Sequence, residues 1–179
     1  MDWEPVGQFD RIADAVDAFL NSSKSLAGTA EWREGNGGHD FRASYVVLVN
    51  GEHVGAALDL TAYPNLATDR NDCRFTISLN CPHPIWRIDF EPLHKGHSNP
   101  LDRFNELGEG TLFGPHYHAW QDNRHLATKR SLPKELPCAR SLPAQIRKWE
   151  QAFRWFCGQT GITLPAGPVI DVPQRTLLV

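Results

Sequence analysis

Hydrophobic positions recur with two different periods along this chain, and the change of period divides it. Near the N-terminus Phe9, Ile12, Val16, Phe19 and Leu20 return every three or four residues, with Asp10, Arg11, Asp14 and Asp17 between them. That spacing predicts an amphipathic helix over residues 8–20. From residue 43 the period falls to two. "ASYVVLVNGEHVGAALDL" is a pair of β-rich runs around Asn50-Gly51, a strong hairpin signal, and predicts strands over 43–49 and 53–60. "RFTISLN" and "PIWRIDF" predict a second hairpin over 74–80 and 84–90. Phe75, Ile77, Leu79, Trp86, Ile88 and Phe90 take one face, while Arg87 and Asp89 take the accessible one, with His83 nearby.

The polar stretch "EPLHKGHSNPLDRFNELGEG" reads as a loop, and "TLFGPHYHAW" as a fifth strand. Three Leu-Pro pairs then exclude a continuous helix across residues 131–143. Ser141 and Pro143 resemble an N-cap and a first-turn proline. Ile146, Trp149, Phe153 and Phe156 form the stripe of a final helix over 144–158, closed by Gly158. The expected fold is α+β: an antiparallel sheet of about five strands flanked by N- and C-terminal helices. It forms a single domain over 1–179, with a Gly-rich loop at 28–40 and a Pro-rich connection at 131–143.

Composition supports a globular chain, with 41% hydrophobic and 22% charged residues. No apolar run approaches the roughly 20 residues of a membrane span, so no membrane is expected. The acidic start lacks the pattern of a signal peptide, which points to the cytoplasm. Cys73, Cys81, Cys138 and Cys157 make no CxxC pair and read as free thiols. Charge is segregated: residues 1–72 hold five Lys/Arg against twelve Asp/Glu, and residues 121–179 hold nine against four. The C-terminal part is thus the one suited to a polyanion or an acidic partner protein.

Six of the eight histidines lie between His83 and His125. On a strand His116, His118 and Trp120 share one face, with Tyr117 and Ala119 on the other. Such a pair of imidazoles suits two chemistries. It can hold Zn or Fe if a third ligand is found, and Asp122, His125, His94 and His97 are candidates. Gly110-x5-His116-x-His118 is similar to the first half of the first cupin motif, but the expected Glu is missing and no later histidine supplies a second motif. Cys81-x-His83 with His94-x2-His97 matches no common zinc finger. Alternatively, with no cofactor, His116 and His118 could divide acid and base roles on RNA, with Arg87 or Arg124 on the phosphate. Trp120 or Tyr117 would stack a base, and Lys129, Arg130, Lys134 and Arg140 would follow the backbone.

"RID" at Arg87–Asp89, a histidine-containing loop, "GPHYH" and a final helix together resemble the TumE-type toxins of bacterial toxin–antitoxin systems. They are also similar to small bacterial and prophage families with a Pro-His-x-His strand. The similarity follows the order of elements over residues 75–156 and about eight identities. It implies a toxin-like ribonuclease acting on RNA or translation, Arg87, Asp89, His116 and His118 as site residues, and a protein partner such as an antitoxin. A third reading assigns the histidines no catalysis: the protein is then an interaction or inhibitor module with its tryptophans as anchors.

Overall fold

The structure, a computed structural model, describes residues 9–35, 38–63, 74–164, 170–171 and 173. Cys73, part of the Gly-rich loop and most of the C-terminal tail lie outside the described residues.

Helix α1 spans Ile12–Asn21 and buries Ile12, Ala13, Ala15, Val16 and Phe19. Strands β1 (Lys24–Ala27) and β2 (Arg33–Glu34) precede the long hairpin of β3 (Phe41–Val49) and β4 (Glu52–Tyr63). That hairpin turns at Asn50-Gly51, both with positive φ (53° and 83°), as a primed two-residue turn requires. The second hairpin is β5 (Arg74–Asn80) and β6 (Pro84–Phe90). The period-two strands therefore form where the side-chain pattern places them, in sequential antiparallel pairing.

The sheet is larger than five strands. Its order is β10-β9-β6-β5-β4-β3-β1-β11, with β2 paired to β3, giving nine strands among the described residues. Here β9 is His116–His118, β10 is Arg140–Ser141 and β11 is Ile162–Thr163. All pairings are antiparallel except β1 with β11. The added strands are two to four residues long, too short to show a period. The expected fifth strand divides at Gly114-Pro115: β8 (Thr111–Phe113) pairs with β7 (Gly96–Ser98) in a separate two-stranded ribbon, and β9 joins the main sheet.

One face of the sheet is apolar. Tyr45, Val47, Leu58, Leu60, Phe75, Ile77, Leu79, Trp86 and Ile88 pack there against α1 and the last helix, α4 (Trp149–Thr160), which follows the short helices α2 (Phe104–Leu107) and α3 (Trp120–Asn123). Ile146, Trp149, Phe153 and Phe156 are all buried, as their stripe predicts. The helix itself starts later than expected, because the chain turns after Pro143, where Ile146 N–H donates to Pro143 O at 2.8 Å. Its end is also later. Gly161, not Gly158, is the left-handed cap (φ 67°), with its own N–H on Cys157 O. A Cβ at Gly161 would come within 2.9 Å of Ser22 O.

Beside that cap lies a buried cation. Lys24 is 1% exposed, and its Nζ donates to Phe19 O, Leu20 O and Ser22 O at 2.6, 3.1 and 2.6 Å. Together with Ser22, whose N–H and hydroxyl also donate to Phe19 O, it closes the C-terminus of α1, where the helix dipole favours positive charge. Burial pulls its pKa down to about 8, whereas three carbonyl acceptors favour the ammonium form. Among the described residues, no helix is long and apolar enough to cross a membrane.

Candidate functional site: three histidines beside an Arg–Asp pair

The other face of the sheet is polar, and at its β6–β9 edge the register brings the candidates together. Arg87 lies opposite His118, and Asp89 opposite His116. The i, i+2 rule thus places two imidazoles beside the "RID" pair. The third member comes from outside the sheet. The β7–β8 ribbon folds over this edge and delivers His97. The rings of His97 and His116 stack at 4.9 Å between centroids, and His118 meets both edge-on at 4.9 and 5.1 Å.

Each ring is oriented by one of its nitrogens. His116 Nδ1 donates to Gly114 O at 2.8 Å, and His97 Nε2 to Pro137 O at 2.9 Å. Gly114 has φ 79°, and a Cβ there would meet Leu93 Cδ2 at 2.8 Å, so a side chain would disturb the turn that aims His116. His118 Nε2 stands 3.1 Å from Asp89 Oδ2 and 3.1 Å from Arg87 Nη2. The single ring proton goes to the carboxylate, because a charge-assisted bond to Asp89 outweighs accepting from a guanidinium already paired with that same oxygen. These assignments leave Nδ1 of His97, Nε2 of His116 and Nδ1 of His118 as lone-pair nitrogens.

His118 is fully buried, and its Nδ1 has no hydrogen-bond partner among the described residues. An unpaired buried nitrogen costs about 1–3 kcal/mol. His118 belongs to a group in which one ligand atom from each of His97, His116 and His118 lies within 4.8 Å of the others. Zinc–nitrogen bonds of about 2.0–2.1 Å in a tetrahedral site need roughly 3.3 Å between nitrogens, so modest side-chain rotation would close the group on an ion.

The surroundings favour the neutral form of His118 and His97. Burial pulls His118 down to about 4, against the raising effect of its hydrogen bond to Asp89, and Arg87 lowers it further. Burial also lowers His97. Burial alone would raise Asp89, but the hydrogen bond from His118 and the Arg87 charge hold it well below the usual carboxylate range. Asp89 Oδ1 accepts from Thr76 Oγ1 at 3.0 Å, and Oδ2 lies 2.8 Å from Arg87 Nε. That last contact is an ion pair by distance without the alignment of a hydrogen bond. A carboxylate behind a ligating histidine fixes its tautomer and strengthens it as a ligand.

Two asparagines hold the wall behind His97. Asn99 Nδ2 donates to Glu109 O and Ala139 O, and its Oδ1 accepts from Ala139 N. Asn123 Nδ2 donates to Ala119 O and Cys138 O, and its Oδ1 accepts from Cys138 N. Both are buried and clamp the end of the Pro-rich connection that carries Pro137. Nothing in their local sequence marks them, since Asn in a polar loop is unremarkable; only the tertiary pairing gives them a role.

Other candidates lie apart. The strand ends at His118, and Trp120 opens the short helix α3 (Trp120–Asn123), so the shared-face rule stops two residues early. Trp120 is 1% exposed and donates to Asp17 Oδ1 at 2.7 Å, leaving no face for a base. Arg124 ties α3 to α1 through Asp14 and Asp17. Asp122 is held bidentately by Arg140. His125, Lys129 and Arg130 are exposed, and Tyr117 stacks on Trp86 on the apolar face. His94 is exposed and Cys81 is buried in the core; neither belongs to the three-histidine group.

No family model, no curated protein and no solved structure matches this chain.

Proposed function

We propose that the protein is a metalloprotein whose His97, His116 and His118 hold one divalent transition ion, zinc or iron. The observation that carries this reading is the convergence of His97, His116 and His118, each offering one ligand atom within 4.8 Å of the others, with His118 Nδ1 buried and without a partner among the described residues. Three neutral imidazoles with Asp89 behind one of them are a chemically complete set of protein ligands for such an ion. Three protein ligands leave at least one position for water or substrate, as in catalytic rather than structural zinc sites. A bound ion there would acidify water or polarise an oxygen of the substrate.

A second reading has one observation in its favour. Arg87 beside His118, next to His116, is the inventory of metal-independent cleavage of RNA of the toxin-like kind. The burial of His118 speaks against it, because a general acid or base must reach the scissile group. One experiment separates the two. Purified protein is analysed for metals, then treated with a strong chelator, and both forms are tested on single-stranded RNA. The metal reading expects near one Zn or Fe per chain, with a lowered melting temperature after chelation. A metal-free preparation that takes up no Zn or Fe on addition, and cleaves RNA in the chelator, would overturn it in favour of the second reading.

A further inference from the structure

Charge balance around the three histidines carries one step more, and it rests on the metal reading. The ligands are neutral, and the carboxylate in contact with them, Asp89, is already matched by Arg87. A divalent ion would therefore leave the site with a net charge of about +2, uncompensated by the described residues around it. The rim is cationic as well. The Arg87 side chain is 27% exposed, its Nε faces Asp89, and its Nη2 stands against a His118 nitrogen whose proton already points to Asp89. Nη1 has no acceptor among the described residues. The guanidinium thus keeps unused N–H donors beside the imidazoles that would hold an ion.

We infer that the site takes an oxyanionic ligand, bound by one oxygen at the open metal position and by a second at the free guanidinium edge of Arg87. Guanidinium donors and a metal ion converge on carboxylate or phosphate oxygens, and the short span between Arg87 and the imidazoles suits two oxygens of one group. A neutral or cationic substrate would leave the ion and Arg87 uncompensated beside buried imidazoles, which is costly.

Cobalt(II) replaces the native ion as a spectroscopic probe. Wild-type protein, R87Q and R87K are loaded with cobalt and titrated with inorganic phosphate and, separately, with acetate. The visible spectrum of the wild type should change and saturate with at least one of the two, and the stronger responder names the class. R87Q should still bind one cobalt but weaken that response by roughly 10–100-fold, the worth of a hydrogen bond to a charged group. R87K, which keeps charge without the fork, should fall between. A wild type that binds no cobalt removes the metal reading and this inference with it. Cobalt bound with no response to either anion, or equal responses in R87Q and R87K, overturns the oxyanion inference alone. If R87Q loses cobalt, R87K decides: a wild-type response there overturns the inference, and a weakened one upholds it.

Discussion

Two of the buried polar clusters among the described residues lie towards opposite ends of one sheet, and they differ in what they leave undone. At the β1–β11 end, Lys24 is wholly enclosed, and its ammonium donors meet three carbonyls at 2.6–3.1 Å. At the β6–β9 end, three imidazoles converge, and a buried nitrogen of His118 meets no acceptor or donor among the described residues. Burying polar atoms is tolerated when partners compensate the lost water. The lysine cluster satisfies that condition with its own chain, so it is a structural cap. The histidine cluster leaves one buried nitrogen, His118 Nδ1, without a partner among the described residues, which is what a site that receives a ligand would show.

Loss of a ligand should show the contrast most strongly. His97→Gln removes a lone-pair nitrogen from the ribbon without opening the core. It should weaken zinc or cobalt binding well beyond the roughly 10–100-fold that a supporting residue costs, and leave the metal-free melting temperature within a few degrees. Competition with a chromophoric chelator measures the first, and calorimetry the second. Unchanged affinity would take His97 out of the group. At the other pole, Lys24→Met should cost stability alone. Leu20 O and Ser22 O lose the ammonium donor while Phe19 O keeps those of Ser22, an effect of about 2 kcal/mol, or roughly 4–8 °C for a domain of this size. Metal affinity should not move, since the two clusters sit at opposite edges of the sheet.

Asp89→Asn is expected to fall between these in its effect on the site. The amide oxygen can still accept from His118, but the negative charge that strengthens the imidazole is gone and Arg87 faces the ion unpaired. Metal affinity should drop about 10–100-fold, by the same competition assay. A neutral result would mean that Asp89 serves only Arg87 and Thr76.

Much of this contrast was visible in the residues, and what was hidden has physical reasons. Period-two alternation places Arg87 and Asp89 on the open face, and the His-x-His spacing puts two rings on one side, because both rules depend only on local backbone geometry. The register that pairs Arg87 with His118 is not local and follows from β9 docking beside β6. His97 is named by composition among several candidates but singled out by nothing near it. Its strand is three residues long in a polar loop, and only the fold of the ribbon turns it inward. The last helix shows the opposite failure. Ile146 continues the apolar stripe, yet it is buried from a turn, so the stripe runs longer than the helix.

The smallest expected effect sharpens the comparison best, because it separates geometry from histidine content. His94 and His125 lie in the same histidine-rich part of the chain, and both are exposed. The double variant His94→Ala/His125→Ala removes two of the eight histidines without touching a buried atom. Exposed substitutions of this kind usually stay within about 0.5 kcal/mol. Zinc stoichiometry, affinity and melting temperature should therefore match the wild type. A clear loss of metal would show that ions are gathered by the dense imidazole surface rather than by the enclosed trio. His118 Nδ1 would then stand as an unsatisfied buried atom with no ligand to explain it, and the distinction between the two clusters would fall.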